Sequence, residues 1–149
     1  MRWLISSLIL GVTGVCCISC RSTHAPESTW TSRKGYEYLI DAQCFALGPV
    51  GASADTSAGE LAFRSILRSR DPQQVFGLVL SRGTEEGKLY ALCGIRATDR
   101  ASFARYAAIV ASTNAEVRTL SGCIGSHEPA ADVVGRIAAG VYDQYLREK

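Results

Sequence analysis

Helix-start signals recur between residues 57 and 99, each followed by apolar residues at helical spacing, and they confine the chain to packed helices. Ser57 stands three residues before Glu60, the spacing of a capping box, and Leu61, Phe63, Ile66 and Leu67 follow. Asp71-Pro72 pairs an N-cap acceptor with proline at the first helical position, ahead of Val75, Phe76, Val79 and Leu80. Arg82-Gly83 closes that helix. Thr84, with Glu85 and Glu86 in the positive end of the dipole, opens the next, and its Leu89, Leu92 and Cys93 face inward. Thr98 or Asp99 caps a fifth helix bearing Phe103, Tyr106, Ala107 and Val110.

Two further helices flank this series. Tyr36, Leu39, Ile40 and Phe45 mark one over 34–47, stopped by Gly48-Pro49. Pro129 starts the last, whose apolar face runs through Val133, Val134, Ile137, Val141, Tyr142, Tyr145 and Leu146. The expected fold is therefore all-α: five to six antiparallel helices in one domain over 35–149. The stretch 116–124, EVRTLSGCI, breaks the helical period and reads as a short strand pair or an irregular loop. EEGKLYALCGI, with the helix pairs Glu60–Ser81 and Thr84–Ala111, resembles HEAT-type helical hairpins. That likeness implies stacked hairpins and carries no binding surface with it.

Residues 1–20 carry a different signal. Arg2 precedes an apolar core from Leu4 to Val15, the arrangement of an export leader, and the run is marginal in length for a permanent span. Its end, Cys17-Ile18-Ser19-Cys20, resembles the lipobox of bacterial lipoproteins, with Cys17 where leucine is usual. The resemblance implies acylation of Cys20 (palmitate or similar chains) and a lipid anchor on a bacterial membrane, facing the periplasm or exterior. Ordinary secretion is the alternative. Residues 21–34, RSTHAPESTWTSRK, are polar, aperiodic and read as a flexible tether.

An oxidising compartment changes how the remaining cysteines are read. With Cys20 acylated, Cys44, Cys93 and Cys123 remain for the folded part, and an odd count leaves one free. Cys93–Cys123 is the expected disulfide, since it fastens the loop at 121–124 to a central helix. The loop-entropy view gives such a bridge about 3–4 kcal/mol. Bridges from Cys44 to either residue are the alternatives.

Charge and motifs exclude more than they assign. The chain holds 16 Lys plus Arg against 14 Asp plus Glu, a balance without the clustered basic charge that nucleic acid requires. Two histidines and no CxxC past the leader give no zinc framework, and no cofactor is expected. GTEEGK lacks the length and terminal Ser or Thr of a phosphate-binding loop. Asp55, Glu60, Glu85 and Glu86 have ready roles in caps and helix dipoles, and Arg64, Arg68, Arg70 and Arg82 read as a solvated stripe.

One constellation has chemical flavour. Cys123 and His127 stand four apart, with Glu128 available to orient the ring and glycines nearby as backbone donors, the parts list of a small Cys/His hydrolase. Trp30, Tyr142 and Tyr145 are the candidate interface aromatics. The expected function is non-catalytic: an envelope-associated lipoprotein that binds or supports another envelope component. The envelope hydrolase and a secreted soluble helical protein are the alternatives.

Overall fold

The computed structural model describes residues 29–147, so the leader, Cys20 and the tether up to residue 28 lie outside the described residues. In order, the chain forms α1 (Ser32–Ile40), β1 (Pro49–Val50), β2 (Asp55–Thr56), α2 (Ala58–Leu67), α3 (Pro72–Arg82), α4 (Glu85–Thr98) and α5 (Arg100–Ala111). The hairpin β3 (Glu116–Ser121) and β4 (Ile124–Pro129), α6 (Ala130–Ala138) and a 3-10 turn (Asp143–Tyr145) complete it. These are six helices and two antiparallel two-stranded sheets in one small domain.

The cap chemistry operates as its residues dictate. Ser57, Asp71, Thr84 and Asp99 each accept an N–H from the residue three further on, at 3.0, 3.2, 3.1 and 3.2 Å. The domain also begins before residue 35. Thr31 caps α1 through the Lys34 N–H at 3.3 Å, and the Trp30 ring meets Tyr38 edge-on at 5.6 Å.

Helix α4 lies at the centre, touching all the other helices and β3. Its residues from Leu89 to Ile95 are all buried, the mark of a helix enclosed on every side. Two glycines let its neighbours approach. A Cβ on Gly87 would stand 2.0 Å from the Leu39 carbonyl oxygen of α1, and one on Gly94 would stand 2.3 Å from the Phe76 ring of α3. Phe76, Phe63, Ile66 and Leu39 belong to the core cluster packed around it.

The first helix stops at Ile40 rather than continuing to residue 47, for a reason of burial. Ala42, Cys44, Phe45, Ala46 and Leu47 are buried almost without a break, which one face of a surface helix cannot achieve. The segment runs instead through the core as irregular chain, so its backbone polar groups need partners. The Tyr90 hydroxyl accepts the Ala46 N–H at 2.7 Å and donates toward the Ala46 and Cys44 carbonyls at 3.1 and 3.3 Å. Ser57 donates to the Ala46 carbonyl at 2.7 Å, and Thr84 donates to that of Ala42 at 2.7 Å. Glu60, buried, accepts the Gly48 N–H at 2.7 Å and neutralises its charge against Arg64 at 2.6 Å. The capping box is thus half made: Ser57 caps α2, while the Glu60 carboxylate serves the incoming chain.

An all-α fold is therefore not what forms. β3 and β4 pair in register from Glu116 opposite Pro129 to Ser121 opposite Ile124. The second strand runs on to Pro129, past the stretch 116–124 that was expected as a strand pair or loop. Phe45 docks beside β3, its N–H on the Arg118 carbonyl at 2.8 Å and its carbonyl receiving the Leu120 N–H at 3.0 Å. The last helix is also shorter than its apolar face suggests. Gly140 takes φ +82°, with Val141 N–H on the Arg136 carbonyl and Gly140 N–H on that of Ile137, both at 3.1 Å. This is a Schellman stop, and the left-handed position it needs suits glycine. The arginine of α4 then holds the reversed chain: Arg96 forks onto Asp143 at 2.7 and 2.9 Å.

Replacing Tyr90 by Phe removes the hydroxyl that receives the Ala46 N–H and leaves that donor buried. We expect a loss of about 1–3 kcal/mol, read as a shift in urea midpoint with unchanged slope; a midpoint equal to wild type would show that the hydroxyl does not support the segment.

Candidate binding groove beside the hairpin

The Schellman stop carries Val141–Tyr145 back across the mouth of the hairpin, and a groove of about 440 Å³ opens between them. One face of the hairpin supplies Thr119, Ser121, Ile124, Ser126 and Glu128, at the two-residue alternation of a strand, and Leu120 lines the groove from outside that set. The buried segment supplies Phe45 and Leu47, α6 supplies Arg136, and the reversed chain supplies Val141, Tyr142, Gln144 and Tyr145. The volume falls within the range of small-ligand and side-chain clefts, about 300–1,000 Å³.

The floor is tied to the core by rings. Phe45 packs on Tyr90 at 4.8 Å and meets Tyr142 edge-on at 5.3 Å, so the core helix and the groove share one aromatic ladder. The rim is apolar and open: Ile124 is 72% exposed and Val141 53% exposed. They are two of the four large apolar residues that stand exposed among the described residues. Both line the same groove.

The charged groups in the groove are held by each other. Glu128 accepts the Thr119 hydroxyl at 2.6 Å and pairs with Arg136 at 2.8 Å, while Arg136 Nε points to the Tyr142 hydroxyl at 3.4 Å. Burial opposes ionisation of Glu128, but the Thr119 and Arg136 hydrogen bonds and the Arg136 charge outweigh it and hold its carboxyl below the usual range. Glu128 is thus a fixed carboxylate near neutral pH and has no proton to give.

The expected Cys123/His127 constellation is not assembled. Cys123 occupies the second position of the two-residue turn Gly122-Cys123, where Gly122 takes φ +56°. His127 lies four residues on along an extended strand, roughly 13 Å at about 3.3 Å per residue, well beyond hydrogen-bond reach. Glu128 is the next residue and so projects to the opposite face from His127. It cannot orient that ring.

The Cys93–Cys123 disulfide does not form. Both are free thiols, Cys93 buried in α4 and Cys123 exposed at the hairpin tip, which also leaves neither for Cys44. No disulfide joins two of the described residues. The fastening that a bridge was expected to provide comes from hydrogen bonds: backbone bonds from Phe45 beside β3 and from the Gly51 N–H to the Gly122 carbonyl at 3.0 Å, and the Glu86 carboxylate receiving the Arg118 N–H at 3.0 Å. Burial pushes the Cys93 thiol up, and it serves as a small apolar filler.

The remaining candidates fall into structural places. Glu60 holds Gly48 and Arg64, Glu85 pairs with Lys88 at 2.6 Å, Glu86 holds β3, and Asp55 receives the Ser53 hydroxyl. They do not converge. Among the described residues no group of three His, Cys, Asp or Glu is placed to hold a metal ion, and no helix is long and apolar enough to cross a membrane. Tyr142 and Tyr145, marked in the sequence as interface aromatics, do line the groove, while Trp30 docks on the domain. Ile124 and Val141 were missed, because a lone apolar residue in a turn or helix pattern gives no sign that it stays exposed.

Since the folded pKa of Glu128 is depressed, its contribution is complete above the unfolded value of about 4.3 and is lost as pH falls from there through the folded value. Glu128→Gln should therefore flatten the decline in stability as pH falls below about 4.3, measured by urea unfolding at several pH values. Parallel wild-type and variant curves would contradict the pairing. Comparison with known protein families, curated proteins and solved structures finds no match for this chain.

Proposed function

We propose that the chain is a non-catalytic, lipid-anchored envelope protein that binds another envelope component through the groove beside β3 and β4. The observation that carries the binding role is the groove itself, an open cleft whose rim residues Ile124 and Val141 are apolar and exposed. Among the described residues its one carboxylate and one guanidinium are locked to each other, so the site offers shape and apolar surface rather than a free acid or base. The anchor rests on the sequence Cys17-Ile18-Ser19-Cys20 and places the groove outside the cytosol. For the architecture, HEAT-type stacking of helical pairs remains a proposal, supported by the packing of α4 on both α3 and α5.

Two measurements test the two halves. Intact-mass spectrometry of the membrane-extracted protein is expected to show a mature chain starting at an acylated Cys20; an unmodified Cys20 or another start removes the anchor. A photo-crosslinking amino acid at Val141 is expected to give one discrete adduct with a different protein in whole cells, and the same group at Ala108, exposed on α5, none. The binding role is lost if Val141 yields no adduct, or only adducts between copies of this chain.

A further inference from the structure

The two outer edges of the hairpin meet different surroundings. On β3 the outward groups are taken: the Arg118 carbonyl and Leu120 N–H bond Phe45 at 2.8 and 3.0 Å, and the Arg118 N–H bonds Glu86 at 3.0 Å. In an antiparallel ladder, residues whose backbone groups point outward lie opposite one another. The register sets Arg118 against His127 and Leu120 against Gly125. Gly125 and His127 therefore turn their N–H and C=O groups away from β3. Among the described residues nothing bonds them, and the strand is exposed from Ile124 to His127.

An open edge is a template for another strand, and proteins usually guard it with lysine, proline or a bulge. β4 has no lysine and pairs without a bulge, and its proline, at 129, only ends the edge. We infer that this edge pairs antiparallel with the same edge of a second copy, about a twofold axis through Ser126. In that register Gly125 of each copy faces His127 of the other, so both outward pairs close and four backbone hydrogen bonds form. The imidazole meets the one residue of the strand with no side chain. Ser126 faces Ser126, and Ile124 of each copy lies beside Glu128 of the other, so no like charges are opposed. Ile124, the most exposed large apolar residue described, is then covered on the groove side of a four-stranded sheet. The edge is self-complementary, as an isologous interface requires, and pairing would take Ile124 out of the exposed rim of the groove.

Disulfide trapping in the full-length protein tests it. With Cys123→Ser as background, Ser126→Cys puts two thiols directly opposite across a non-hydrogen-bonded pair, where Cα atoms stand about 4.5 Å apart. Under oxidised glutathione, non-reducing electrophoresis should show a Ser126→Cys dimer forming at least about tenfold faster than one from Ala108→Cys. Adding His127→Pro removes an outward N–H and leaves the β3 ladder intact; it should bring the rate down to the Ala108→Cys level, whereas His127→Ala should not. Ile124→Glu, a change at an exposed site that sets two carboxylates opposite each other, should slow trapping in the same way. Equal rates for Ser126→Cys and Ala108→Cys would overturn the inference, as would trapping indifferent to both His127→Pro and Ile124→Glu. A chain that stays monomeric and adds only a foreign strand at this edge gives the first of these results.

Discussion

The hydroxyl of Tyr90 sits where α4 meets the irregular segment at 42–47, and the rest of the architecture depends on that contact. A run of apolar residues that leaves helical geometry inside a core exposes backbone groups which must be bonded. Tyr90 receives the Ala46 N–H and gives its proton to the carbonyls on either side, and burial pushes the phenol far above its usual range, so it stays a donor. Ser57, Glu60 and Thr84 complete the set, so that caps of α2 and α4 also hold the chain that precedes them. With the segment in place, Phe45 presents an edge to β3 and a ring to Tyr142. The hairpin and the C-terminal turn are both built on it.

The groove follows from that same segment and from one chain reversal. Gly140 ends α6 early, Arg96 pins Asp143, and the returning residues face the hairpin across an open cleft. Charges there neutralise one another: Glu128 is committed to Thr119 and Arg136. Catalysis by a carboxylate needs a group whose protonation is poised and whose neighbours are free to act on substrate, and Glu128, held by Thr119 and Arg136, is not placed that way. The hairpin also separates Cys123 from His127, because successive strand residues alternate faces and four residues of extended chain span far more than a hydrogen bond.

Much of the helical framework was legible in the residues. Ser57, Asp71-Pro72, Thr84 and Asp99 each act locally, through a side chain that reaches a backbone N–H three residues away, and local chemistry survives in any tertiary setting. The hairpin was only half legible. The stretch 116–124 already broke the helical period, but Ile124-Gly125-Ser126-His127 has no apolar period, because β4 buries almost nothing and is held by ladder bonds and the Glu128 contacts to Thr119 and Arg136. The end of the last helix was hidden for the opposite reason. Its apolar face continues past Gly140, and only the Arg96–Asp143 fork and the left-handed glycine show that the face is shared between a helix and a separate turn.

What the amino-acid order determined by itself is the set of helix starts and the apolar content of α4, both properties of neighbouring residues. Tertiary structure decided the rest. It chose backbone ladders over a Cys93–Cys123 bridge, converted the tail of the first expected helix into a buried strut, and placed Ile124 and Val141 on the rim of a cleft. Those outcomes depend on which distant groups can satisfy a buried N–H or carbonyl, and no local pattern records such a partner.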